Sequence, residues 1–145
     1  INASKEDSVK KIMELTGKEH VMFVSSDSGQ IDTVYDSAGL SANYTGTPVL
    51  QQALTMTRPN GKVIALGLFE KLAEVDHNQL VLKGITVHGS IAWTVDEFRQ
   101  AVDMVGSGKI DRKPLITHRF SLEQAKQAYE TQLRVEEAIK VMIVP

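Results

Sequence analysis

Two hydrophobic periods share this chain. Val9, Ile12, Met13 and Thr16 recur at helical spacing. Ser4 is placed to cap that helix, with Glu6 and Asp7 in its first turn, where the helix dipole favours negative charge. Gly17 suits the left-handed residue that closes a helix. Residues 21–24 (Val-Met-Phe-Val) are a short apolar run between polar neighbours, which fits either a strand or a buried loop anchor. Residues 31–35 are β-branched and aromatic, and they predict a strand ending in the small-residue turn Asp36-Ser37-Ala38-Gly39. Thr47-Pro48 reads as an N-cap followed by proline at the first helical position, with Leu50, Ala53 and Leu54 as the apolar face. Pro59-Asn60-Gly61 is a strong turn signal. Residues 62–68 are almost continuously apolar, as in a strand buried on both faces of a parallel sheet, and residues 85–91 predict the next strand.

The last third opens two helices with reciprocal caps, Thr94 with Glu97 and Ser121 with Gln124. The first is expected to bury Phe98, Ala101, Val102 and Val105 and to stop at Gly106; the second presents Leu122, Ala125, Ala128 and Tyr129. Short strands are expected at 115–120 and 140–144. Strand, helix, strand, small helix, strand is the alternation of an α/β protein with a parallel sheet, its helices laid over the sheet by right-handed crossovers.

Composition narrows the function. Among 145 residues, 16 are basic and 18 acidic, so the net charge of −2 offers no footprint for nucleic acid. No cysteine is present, which excludes disulfides, thiolate zinc sites and a thiol nucleophile. No stretch reaches the ~20 apolar residues of a membrane helix, and no signal peptide is read at the start, so no membrane partner and a cytoplasmic location are expected.

Candidate chemistry gathers at strand ends, where ligands of open α/β sheets bind. Gly67, within Leu66-Gly67-Leu68, could let a ligand approach the backbone or could simply end a strand in a turn. The same two readings apply to Ser37, Ala38 and Gly39, and to Ser90, Ile91 and Ala92. His20, His77, His88 and His118 lie on separate elements without metal-ligand spacing; His88 is expected to pack or hydrogen-bond on its strand, and His118 to be structural beside a solvent-facing Arg119. The carboxylates Asp32, Asp36, Asp76, Asp96, Asp103 and Asp111 are scattered. A G-x-S-x-G elbow is missing, and the G-x-G at Gly106-Ser107-Gly108 follows a helix, so it reads as a helix stop.

Several of these pieces, in order, resemble medium-chain dehydrogenase/reductases: Asp36-Ser37-Ala38-Gly39, Leu50-Gln51-Gln52-Ala53-Leu54, Arg58-Pro59-Asn60-Gly61-Lys62-Val63, Gly67-Leu68-Phe69, the stretch 82–90, Gly106-Ser107-Gly108-Lys109-Ile110-Asp111 and the stretch 115–125. The branch they resemble is the zinc-type alcohol and polyol dehydrogenases, such as butanediol, sorbitol and threonine dehydrogenases. The resemblance implies the C-terminal portion of such an enzyme. Residues 1–92 would be the second half of a Rossmann-type NAD(P)-binding domain, and residues 93–145 a segment returning to the catalytic domain. The glycine-rich pyrophosphate loop, the ribose-binding acidic residue and the zinc ligands would lie outside it.

By the same resemblance, Leu66, Gly67 and Leu68 would lie beside the nicotinamide of NAD or NADP, and Ser90, Ile91 and Ala92 would offer backbone groups to its carboxamide. Ser37, Ala38 and Gly39 would border the adenosine side. Lys140 would sit near the cofactor phosphates or be a plain surface lysine. No residue here is expected to be catalytic or to bind metal, and the isolated chain is expected to be inactive. An alcohol or polyol would be the substrate of the intact enzyme. Residues 73–80 and 85–91 resemble the dimer-contact region of relatives, and the edge near residues 31–35 is open to pairing, so a homodimer or larger oligomer is expected. Two other readings stay open: a zinc-free quinone or enoyl reductase of the same family, and a non-catalytic module acting through dimer contacts. At residues 18–30 the chain departs from relatives, which cross this region in a short glycine-rich turn.

Overall fold

The computed structural model describes residues 1–3 and 5–145. The chain forms two compact units, Ile1–Ala92 and Trp93–Pro145. The first runs α1 (Ser8–Thr16), β1 (Lys18–Glu19), β2 (Ser28–Gly29), β3 (Ile31–Asp36), α2 (Val49–Met56), β4 (Thr57–Ala65), α3 (His77–Lys83) and β5 (Thr86–Gly89). Strands β3, β4 and β5 make a parallel sheet in that order, with α2 and α3 in the two crossovers that parallel pairing requires. Asp36, Ala65 and Gly89 stand in register at its C-terminal edge. Ala53 and Leu54 of α2 pack with Val63 and Ile85 as the core, and Val34, Leu50, Val75 and Leu80 close around it.

Local chemistry moves several boundaries. Asp7 caps α1, accepting from Lys10 N at 3.0 Å, so Glu6 and Asp7 precede the helix where they were expected inside its first turn. The expected Ser4 cap lies outside the described residues. Pro48, extended at ψ 140°, is the N-cap of α2, and Thr47 makes no side-chain cap; instead its carbonyl accepts from Gln52 Nε2 at 2.8 Å. Residues 21–24 are a loop anchored by buried Val24, with Met22 and Phe23 exposed and Phe23 in left-handed backbone at φ 67°. The small antiparallel β1–β2 hairpin around it has two-residue strands, too short to show a period. The Pro59-Asn60-Gly61 turn is a bulge inside β4: two steps along β3, from Ile31 to Thr33, match five along β4, from Thr57 to Lys62. Asn60 takes the left-handed conformation there, at φ 60°.

Both apolar strands stop short of their predicted ends. β4 ends at Ala65 and β5 at Gly89, which leaves residues 66–68 and 90–92 as loops beyond the sheet. β5, at one edge of the sheet, is exposed along its whole length.

The second unit holds α4 (Val95–Gly106), β6 (Ile116–Phe120), α5 (Ala125–Gln132) and β7 (Lys140–Ile143), with short 3-10 turns at Lys113–Leu115 and Leu122–Gln124. β6 and β7 pair in parallel across α5. Both predicted capping boxes form. The expected burial does not: Phe98, Ala101 and Val102 are exposed and Val105 is only half-buried, while Trp93 stacks on Phe98 at 6.1 Å between ring centroids. The stripe is apolar as read, but no described residue covers it. Gly106 ends the helix proper, and Gly108 supplies the left-handed turn at φ 75°. On α5, Ala128 and Thr131 are buried, Ala125 is half-buried and Tyr129 is exposed, as is Leu122 on the preceding 3-10 turn.

Candidate site at the carboxyl edge of the sheet

The three strand ends bring their loops side by side. Ser37, Ala38 and Gly39 follow β3; Leu66, Gly67 and Leu68 follow β4; Ser90, Ile91 and Ala92 follow β5. Lys140 belongs to the second unit, exposed at the start of β7 and paired with Ile116.

Hydrogen bonds lock the first two loops together. The Asp36 carboxylate is 1% exposed, and its Oδ1 accepts from Ala38 N at 3.1 Å and from Gly39 N at 2.9 Å, as an Asx-type turn does. The Asp36 carbonyl accepts from Leu66 N and Gly67 N at 2.8 and 2.9 Å. Beyond the turns the loops pair again: Leu40 N donates to Leu68 O at 3.1 Å, and Glu70 N to Leu40 O at 2.9 Å. Ser90 N donates to Ala65 O at 3.0 Å, which carries the β4–β5 ladder one step further.

Close approach explains two glycines. A Cβ on Gly67 would run into the backbone of Gly39, and a Cβ on Gly39 (φ 65°) would run into the backbone of Leu68. The room beside Gly67 is therefore filled by protein backbone. Gly89 is different, since a Cβ there meets nothing within 4 Å and the space beside the end of β5 is open. Over this edge Leu68 and Ile91 are 76% and 82% exposed, Leu66 is half-exposed, and Ala92 holds left-handed backbone at φ 55°. The arrangement offers aliphatic surface and main-chain polar groups, suited to a flat, partly apolar ligand. The residue that sequence reasoning missed is Asp36; its signal was the spacing from an aspartate to a glycine three residues on.

A second buried charged side chain stands on α3. Lys83 is 2% exposed, its Nζ donating to Leu54 O at 2.5 Å at the end of α2, and burial pushes its ammonium down to about 8. Unfolded, the group titrates near 10.5. Between those values the unfolded chain binds the extra proton, so stability rises as pH climbs from about 8 towards 10.5. Urea midpoints should accordingly rise with pH over that window in the native chain relative to Lys83→Met; equal slopes would remove the assignment. Among the histidines, the His88 side chain is exposed and makes no side-chain hydrogen bond among the described residues, which corrects the packing or hydrogen-bonding role expected of it. His118 is half-buried, 3.0 Å from Thr117 Oγ1 and stacked on Phe120, beside an exposed Arg119. His20 Nδ1 lies 3.6 Å from Asp27, whose carboxyl is held below its usual range by Lys18. Among the described residues no three His, Cys, Asp or Glu side chains are grouped to hold a metal ion, and no helix is long and apolar enough to cross a membrane.

Residues 1–107 match the family model described as zinc-binding dehydrogenase. The chain is 32% identical to L-threonine 3-dehydrogenase of Bacillus licheniformis over 147 aligned positions, covering all of this chain and 38% of the relative. It superposes on the crystal structure of 2R,3R-butanediol dehydrogenase from Bacillus subtilis with a TM-score of 0.76 at 24% identity, covering 100% of this chain and 37% of that one. A short chain alcohol dehydrogenase from Escherichia coli CFT073, complexed with cofactor NADH, shares the fold with a TM-score of 0.64 at 20% identity, over 79% of this chain and 32% of that one. The chain thus spans about a third of the length of these proteins.

Proposed function

Because the chain belongs to the zinc-binding dehydrogenase family, we propose that it is the C-terminal part of a zinc-dependent, NAD(P)-linked dehydrogenase of a secondary alcohol or polyol. In this reading residues 1–92 are the second half of the dinucleotide-binding domain, and residues 93–145 return to the catalytic domain. The observation that carries it is the alignment of three loops at the carboxyl edge of one parallel sheet, where open α/β sheets take their ligands. A bound dinucleotide would supply the hydride acceptor or donor at its nicotinamide ring. Leu66, Leu68 and Ile91 would keep water from one side of that ring, and backbone groups of residues 90–92 would hold its carboxamide. The open space at Gly89 lets a ring approach the end of β5. In this reading the zinc ligands belong to the rest of the intact enzyme, and the isolated chain would not turn over. Among the described residues no strand pairs with the outer edge of β5, which supports a second copy as partner, and the cytoplasm is the proposed location.

Titrating NADH into the chain and following backbone amide shifts tests this. Shifts confined to residues 37–39, 66–68 and 90–92 at millimolar NADH are expected. Silence at all three loops would overturn the cofactor reading and favour a non-catalytic module, whose free strand edges are its argument.

A further inference from the structure

We propose that Asp36 is a positioning residue that clamps two of the three loops into one rigid body. Its purpose as part of a cofactor wall rests on the function proposed above; the clamp itself stands on the geometry alone. An ordinary Asx turn organises only its own loop, and the Asp36 carboxylate does that through Ala38 N and Gly39 N. Asp36 also reaches the other loop, because its carbonyl takes both Leu66 N and Gly67 N. The loops are then pressed together where Gly39 and Gly67 leave no room for a Cβ. A disturbance of the carboxylate must move Gly39, and Gly39 cannot move without Gly67. One buried side chain thereby sets the spacing between Ser37-Ala38-Gly39 and Leu66-Gly67-Leu68.

The second carboxylate oxygen makes the experiment clean. Oδ2 is buried without a hydrogen-bond partner among the described residues, so Asp36→Asn can keep the acceptor that serves the turn and break no bond at the other position. Hydrogen exchange at Ala38, Gly39, Leu66 and Gly67 reads the clamp. Asp36→Ala should lose protection by about tenfold at all four amides, although the substitution leaves the main-chain acceptor of Leu66 and Gly67 in place. Asp36→Asn should hold all four within about threefold of the native chain. Loss at Ala38 and Gly39 alone, or an Asn variant as loose as the Ala variant, would overturn the clamp. If Asp36→Ala does not fold, Asp36→Ser keeps one shorter acceptor, and its loss must again extend to Leu66 and Gly67. NADH added to the unsubstituted chain is the separate arm: silence at these loops sinks the cofactor reading, while the exchange pattern still decides the clamp.

Discussion

Gly67→Ala lowers the melting temperature of the first unit by about 10–20 °C, because an overpacked contact costs about 2–3 kcal/mol and a unit of this size loses several degrees for each. The collision is with backbone: the added methyl meets the main chain of Gly39, and no rotamer change can relieve it. Relief requires one loop to back away, and that breaks the bonds from Leu66 N and Gly67 N to the Asp36 carbonyl or the bond from Leu40 N to Leu68 O. Gly89→Ala is the matched control, since its methyl enters open space, and it should melt within a degree or two of the native chain. Circular dichroism melts of the two variants decide the matter. Coincident curves would mean that the loops are not interlocked.

Leu54→Ala costs about 3 kcal/mol, the usual size for a fully enclosed leucine whose cavity closes only in part. Leu54 is wholly buried between α2 and the sheet, in a core with few members. Small cores hold little in reserve, so this one truncation takes a large share of the stability. Leu82→Ala, on a half-exposed side chain of α3, should cost well under half as much. Urea titration of both measures the contrast; equal midpoints would show that the α2–sheet contact is not what holds this unit together.

How much could be read in the chain depended on whether a signal was local. Capping boxes at Thr94 and Ser121 are complete within four residues, and both form as read. The parallel sheet was legible because its strands carry apolar runs between helical patterns. The bulge at Pro59-Asn60-Gly61 was legible only as a turn: Asn60 is left-handed, but the chain resumes the same strand because β3 continues to pair with it. The apolar stripe of α4 was read correctly as a stripe and wrongly as a buried face, since burial depends on a neighbour. The loops of the candidate site were found from their small residues, whereas Asp36 looked like one scattered carboxylate among several. Its importance comes from Leu66 and Gly67, about thirty residues away, and local pattern does not reveal such a partner.

The order in which a ribosome delivers these strands gives the sheet a vulnerable interval. Asp36 and Ala65 stand in register yet are 29 residues apart. At about 5–20 residues per second, β3 emerges about 1.5–6 s before the end of its partner. During that interval β3 lacks β4 along one edge, and α2, which emerges before β4, is the first element able to cover it. Of the described parallel pairs this one spans the longest stretch of chain, so β3 waits longest for its following partner, and the appearance of β4 closes that edge.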